Sequence, residues 1–87
     1  MTYGLEISEQ FEKILSKLRK KNRKQLEIIN KKVEEVRENP YNYKPLRGDM
    51  KGARRVHIDK SFVLTYEIDE QAKIIRLLDY DHHDKIY

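Results

Sequence analysis

Apolar residues at helical spacing predict two helices in the first half of the chain. The first stripe comprises Phe11, Ile14, Leu15 and Leu18. Ser8, a residue favoured at helix N-termini, comes just before it. The second stripe comprises Leu26, Ile29, Val33 and Val36. It follows the capping pair Asn22 and Gln25 and should end before Asn39–Pro40, because proline disfavours a helical residue ahead of it. The two stripes therefore predict a helical hairpin.

Short apolar runs on either side of the hairpin predict strands. The alternating segment Thr2–Ile7 predicts one, and residues 53–59, 62–68 and 73–80 predict an antiparallel meander of three more. The connector from Pro40 to Gly52 is expected to contain a short strand near Pro45–Arg47. This order predicts an α+β fold with an N-terminal strand and a two-helix hairpin, in which the hairpin packs on one face of an antiparallel sheet and the N-terminal strand joins that sheet beside a later strand. We expect a single domain over residues 1–87.

Strand alternation assigns side chains to the two faces of this sheet. In the first run of the meander, Val56 and Ile58 are expected in the core, and Arg55 and His57 on the opposite, partly open face. In the second run, Phe62, Leu64, Tyr66 and Ile68 should share one face, opposite Val63, Thr65 and Glu67. In the third run, Ile75 and Leu77 should lie on one face, with Ile74, Leu78 and Tyr80 on the other.

Composition and charge restrict the function classes. The chain has 87 residues, no cysteine and a net charge of +4, with 39% charged residues. Because cysteine is absent, disulfides and thiolate metal sites are excluded. No apolar run is long enough to span a membrane, and the N-terminus lacks the pattern of a signal peptide. A cytoplasmic protein is expected.

Basic residues concentrate in two segments, which makes a polyanionic partner plausible. Residues 17–32 contain eight Lys or Arg against one Glu, and residues 44–60 contain six against two Asp. The alternative for the first segment is a solvated, lysine-rich helix face.

Four short motifs, taken in order, resemble those of a known family. They are Pro45-Leu46-Arg47-Gly48, the strand Ala53–Ile58 with Arg54-Arg55-Val56-His57, the strand Val63-Leu64-Thr65-Tyr66, and the tail Asp81-His82-His83-Asp84-Lys85-Ile86-Tyr87. Together with the order of elements they resemble the RelE/YoeB/YafQ toxins of bacterial and archaeal type II toxin–antitoxin modules. The resemblance covers nearly the whole chain.

The resemblance implies a ribosome-dependent endoribonuclease that cuts mRNA in the ribosomal A site without a metal or other cofactor. It also implies a cognate, RelB-like antitoxin as inhibitor, beside the ribosome and mRNA as partners. The positions that carry the family's catalytic groups are Arg55, His57, His82, His83 and Tyr87. Measured back from Tyr87, His82 fits the RelE-like spacing and His83 fits the YafQ-like spacing.

This chain departs from the family pattern on its second meander strand. Val63 stands where many members have an arginine, and Ser61 and Phe62 replace the aspartate and tryptophan of the YafQ-like pattern. Arg54, Lys60 and Arg76 are candidates to supply the missing charge. The predicted RNA-binding residues are Arg54, Lys51, Lys60 and Arg76.

Cleavage of RNA without a metal needs a base for the 2′-hydroxyl proton, an acid for the leaving 5′-oxygen and positive charge at the phosphate. Histidine can supply the first two groups near neutral pH and arginine the third. We therefore expect His57 and one tail histidine to act as the acid–base pair, with Arg55 at the phosphate. A zinc site from His57, His82, His83 and Asp84 is disfavoured because adjacent histidines in a strand point opposite ways.

Two other functions are compatible with the same residues. Loss of the arginine at Val63 favours a ParE-like inhibitor of DNA gyrase that cleaves nothing. A basic domain that only binds RNA would use the cations of residues 17–32 and tyrosines as stacking groups.

Overall fold

The computed structural model describes residues 2–45 and 52–82. Its elements are β1 Gly4–Ile7, α1 Glu9–Lys21, α2 Arg23–Glu38, the 3₁₀ turn Pro40–Asn42, β2 Ala53–Ile58, β3 Phe62–Asp69 and β4 Ile74–His82. The two helices pack on a four-stranded sheet, which confirms the predicted α+β class. Pro45 bridges to Arg54, at the place where a short strand was expected, and Leu46 and Arg47 lie outside the described residues.

Side-chain caps fix the beginnings of both helices. The Ser8 hydroxyl accepts a hydrogen bond from the Phe11 N–H at 3.1 Å. The Asn22 side chain does the same for the Gln25 N–H, also at 3.1 Å, so that one residue ends α1 and begins α2. α2 ends at Glu38, directly before Asn39–Pro40. The predicted hairpin and its boundaries are therefore confirmed.

The sheet order is β1-β4-β3-β2, and one pairing differs from the expectation. β2, β3 and β4 form the predicted antiparallel meander. β1 joins the sheet beside β4 but runs parallel to it, because the helical hairpin carries the chain back across the sheet before β2 begins. The sheet is therefore mixed rather than purely antiparallel.

An irregularity in β4 changes the faces of its last residues. Tyr66 pairs with Leu77, and the next pair is Thr65 with Asp79, so the register skips Leu78. An inserted residue of this kind inverts the alternation of side chains beyond it. The prediction that Tyr80 lies opposite Leu77 is therefore wrong: both are buried in the same core, Leu77 2% and Tyr80 7% exposed.

One core lies between the helices and the sheet. The helices contribute Phe11, Leu15, Ile29, Val33 and Val36, and the sheet contributes Val56, Ile58, Leu64, Tyr66, Ile75, Leu77 and Tyr80. Its two tyrosine hydroxyls are hydrogen-bonded: the Tyr66 hydroxyl donates to the Pro40 carbonyl and the Tyr80 hydroxyl accepts from Gln25 Nε2, both at 2.6 Å. The core therefore has specific polar contacts as well as apolar packing.

A surface cluster around Glu70 joins three distant parts of the chain. The Glu70 carboxylate accepts hydrogen bonds from the Tyr3 and Tyr41 hydroxyls, each at 2.7 Å, and from the Lys73 ammonium. These donors lower the pKa of Glu70 to about 2, with the Lys73 contact the largest cause. The cluster connects the segment before β1, the 3₁₀ turn and the β3–β4 turn.

Among the described residues, no helix is long and apolar enough to cross a membrane.

Candidate functional site

Arg55 and His57 lie on β2, an edge strand of the sheet, on the face away from the helices. The core residues Val56 and Ile58 alternate with them, as predicted, and His57 is exposed while Arg55 is half-buried. The Arg55 N–H donates to the Lys44 carbonyl at 3.0 Å, and Pro45 bridges to Arg54, so that residues 44–45 lie along the outer edge of β2. These two predicted site residues are therefore brought together on one strand.

His82 lies on the other side of the sheet from His57. Its register partner is Phe62, which pairs in turn with the core residue Ile58. The Phe62 and His82 rings meet edge to face at 5.6 Å between centroids, and Phe62 stacks on Tyr80 at 5.1 Å. The skipped residue in β4 thus places His82 on the helix side. The structure does not bring His57 and His82 together.

Acidic residues stand in register with Arg55 and His57, across β3. Arg55 pairs with Thr65 and Thr65 with Asp79, while His57 pairs with Val63 and Val63 with Asp81. The Asp79 and Asp81 carboxylates accept the N–H of the following residue, at 2.8 Å for Tyr80 and 2.7 Å for His82. Asp79 also accepts from Gln10 Nε2 of α1 at 3.0 Å. Both carboxylates therefore have donors of their own at the β4 edge.

The three described RNA-binding candidates differ in what already surrounds them. Arg76 contacts Asp69 at 2.8 Å, Glu6 at 3.2 Å and Glu67 at 3.7 Å, and the first two of these carboxylates raise its pKa. Because three carboxylates surround it, its charge is locally compensated. Arg54 donates to the Tyr43 carbonyl at 2.5 Å and lies 5.1 Å from the centre of the Tyr41 ring. Its side chain therefore connects residues 41–43 to β2. Lys60 is exposed in the β2–β3 turn.

Three predicted site residues lie outside the described part of the chain: His83, Tyr87 and Lys51. Their assignments stay predictions.

A groove of about 370 Å³ adjoins the Arg55–His57 pair. Its lining consists of Lys32, Asn42, Tyr43, Lys44, Arg55, Val56 and His57. None of Lys32, Asn42, Tyr43 and Lys44 was among the predicted site residues, although Lys32 and the tyrosines belong to the alternative of a domain that only binds RNA. The available signal was that Lys32 ends one basic segment and Lys44 begins the other.

A metal site of three or more His, Cys, Asp or Glu side chains does not occur among residues 2–45 and 52–82.

Comparison with known proteins identifies the family. Residues 5–87 match the model of the ParE-like toxin of type II bacterial toxin–antitoxin systems. The chain belongs to this family. It is 49% identical over 85 residues to a putative toxin, RelE4, of Methanocaldococcus jannaschii, covering 98% of this chain and 90% of that protein. An uncharacterized protein of Methanosarcina mazei is 53% identical over 85 residues, covering 98% of this chain and 99% of the relative.

A solved structure supports the same assignment. This ParE-like toxin superposes on a chain of the intact E. coli RelBE toxin–antitoxin complex with a TM-score of 0.73 and 27% identity, covering 92% of this chain and 95% of that one. The resemblance to RelE-type toxins expected from the sequence motifs is therefore confirmed, and the protein is a type II toxin of the RelE/ParE superfamily.

Proposed function

We propose that this toxin is a metal-independent endoribonuclease that cleaves mRNA in the ribosomal A site and so inhibits translation. The observation that supports it best is the placement of Arg55 and His57 side by side on the outer face of β2, next to a groove with three cationic side chains. Ribosome and mRNA as targets imply action in the cytoplasm.

The reaction transfers the phosphoryl group from the 5′-oxygen of the following nucleotide to the 2′-oxygen, so that the P–O5′ bond breaks and a 2′,3′-cyclic phosphate and a free 5′-hydroxyl remain. The 2′-hydroxyl loses its proton to a base, its oxygen attacks the adjacent phosphorus, and the 5′-oxygen leaves with a proton from an acid. His57 takes one of these proton-transfer roles, and Arg55 stabilises the negative charge that accumulates on the phosphate. Since His82 lies across the sheet from His57, the tail residues His83 and Tyr87 are the candidates for the other role.

Cleavage is tested by in vitro translation with purified toxin, mapping mRNA 5′ ends by primer extension. We expect cuts within codons when ribosomes are present and none on the same mRNA alone. Uncut mRNA in the presence of ribosomes and folded toxin would overturn the proposal.

A RelB-like antitoxin is the proposed protein partner, because the E. coli relative occurs in a complex of that kind. The net charge of +4 favours an acidic partner surface. Co-expression with the neighbouring small reading frame, followed by co-purification at increasing salt, tests this pairing.

Gyrase inhibition is the second candidate, and Val63 is the observation that favours it. Val63 is fully buried and pairs with His57, at the position where many nuclease members have an arginine. A supercoiling assay with DNA gyrase separates the two functions, because the nuclease proposal predicts no inhibition there.

A further inference from the structure

The groove beside Arg55 and His57 contains cations from three separate elements. Lys32 comes from α2, Lys44 from the connector and Arg55 from β2. Among the described residues that line the groove, none is acidic. Such a convergence of positive charge favours an anionic ligand.

Lys32 differs from the other cations of its basic segment. Of the eight Lys and Arg in residues 17–32, all of them described, seven are exposed and Lys32 is half-buried. It pairs with Glu35 at 3.0 Å on the same helix, a surface contact that contributes little and that a bound phosphate can replace. The segment as a whole is thus a solvated face, but its last lysine lines a concave site.

Polar and aromatic groups beside these cations suit a nucleotide rather than a simple anion. Asn42 and His57 offer hydrogen-bonding groups, and Tyr43 offers an aromatic ring that meets the Tyr66 ring at 6.4 Å in an edge-to-face arrangement. A single-stranded nucleic acid is bound by this combination of positive charge for its phosphates and aromatic surface for its bases. A volume of about 370 Å³ falls in the range of small-molecule sites.

We propose that this groove is a subsite for the RNA nucleotide next to the cut, with Lys32 and Lys44 as its phosphate-binding residues. The inference rests on the proposed function for the identity of the ligand, since the groove shares Arg55 and His57 with the proposed catalytic pair. Lys32 and Lys44 hold the neighbouring phosphate and so fix the register of the strand against His57.

The test measures RNA binding without cleavage. The probe is a fluorescein-labelled single-stranded RNA with 2′-O-methyl groups, which cannot undergo attack by the 2′-oxygen, and binding is followed by fluorescence anisotropy at several salt concentrations. The logarithm of the RNA-binding constant falls linearly with the logarithm of the salt concentration, and each lost phosphate contact makes this negative slope less steep by about 0.7 for a single strand. We expect this loss for Lys32→Ala and again for Lys44→Ala, and recovery with Lys32→Arg and Lys44→Arg.

Lys13→Ala is the matched control, because it removes the same charge from an exposed position of α1, which packs against β4, a strand that β3 separates from β2. It should leave the slope unchanged. The Lys44 carbonyl that binds the Arg55 N–H survives in Lys44→Ala, so that variant should keep the fold, which a thermal melt checks.

The outcomes separate this inference from the nuclease proposal. Equal slopes for Lys32→Ala, Lys44→Ala and Lys13→Ala, or a wild-type protein that leaves the probe unbound, would overturn the subsite whatever the cleavage assay shows. A poly-glutamate peptide that binds as tightly as the RNA, with the same dependence on Lys32 and Lys44, would overturn it in favour of an acidic protein ligand. Slope losses that occur with the RNA and not with the peptide support an RNA-binding groove at Lys32 and Lys44, and uncut mRNA would then overturn the nuclease proposal and not the groove.

Discussion

At the scale of single residues, the position of each histidine relative to the sheet decides its possible role. His57 is exposed on the outer face of β2, whereas His82 packs on Phe62 on the helix side. The skipped residue Leu78 in β4 is what puts His82 on that side of the sheet. A cleavage reaction that needs an acid and a base at the same phosphate therefore has to combine His57 with a group other than His82.

Single alanine substitutions test this assignment. His57→Ala and His83→Ala should each lower ribosome-dependent cleavage at least tenfold, since general acid–base groups contribute about 10² to 10⁴ in rate. His82→Ala should change it less than threefold. Primer extension on translated mRNA measures all three, and a large loss in His82→Ala with the fold intact would contradict the assignment.

A buried hydroxyl offers a residue-scale test of stability. Tyr66→Phe removes the donor to the Pro40 carbonyl in the core and should lower the free energy of unfolding by about 1 kcal/mol. Tyr41→Phe removes a hydroxyl of the exposed Glu70 cluster and should change the free energy of unfolding much less than Tyr66→Phe does. Urea denaturation of both variants measures the difference; equal effects would show that the core bond adds nothing.

At the scale of secondary-structure elements, the sequence predicted what local periodicity encodes. The stripes from Phe11 and from Leu26 gave both helices, and Ser8 and Asn22 marked their starts, because caps and helical spacing are local properties. The irregularity at Leu78 was not predictable. Strict alternation over Leu77-Leu78-Asp79-Tyr80 puts at least one apolar residue on each face, so alternation alone cannot say where a residue is skipped. The parallel β1 pairing also depends on tertiary contacts that no local pattern contains.

The candidate site was predicted only in part, for a related reason. Arg55 and His57 followed from strand alternation within one segment, whereas Lys32 and Lys44 reach the same groove from two other elements. A groove formed where α2, the connector and β2 meet has no signature in any one of their sequences.

Helix capping gives a prediction at this scale. Ser8→Ala removes the acceptor for the Phe11 N–H and should cost about 1 kcal/mol, while Ser8→Thr, which keeps both this acceptor and the hydroxyl that donates to the Leu78 carbonyl, should retain most of the stability. Ser16→Ala, inside α1, should instead be neutral or slightly stabilising, because alanine is the better helix former. Thermal melts of the three variants measure the contrast, and a Ser8→Ala protein as stable as wild type would contradict it.

At the scale of the whole molecule, the Glu70 cluster makes stability depend on pH. The folded pKa of about 2 lies below the unfolded value near 4.5, so the stabilisation is complete above pH 4.5 and is lost as the pH falls towards 2. The melting temperature should therefore decrease as the pH is lowered from 6 to 3, and this decrease should be smaller in Glu70→Gln. Glu27→Gln, at an exposed position of α2, should leave it unchanged. A Glu70→Gln protein with the wild-type pH profile would show that the cluster contributes nothing.

The carboxylates at the end of β4 have a consequence for how copies of the molecule behave together. β1 ends at Ile7, opposite Leu77, and within residues 2–45 and 52–82 no strand pairs with that side of β4 beyond this point. Free N–H groups on such an edge are templates for pairing between molecules and hence for aggregation. Asp79 and Asp81 already bind the N–H groups of Tyr80 and His82 and place negative charge there. These carboxylates therefore disfavour the addition of a strand from another copy of the molecule at this part of β4.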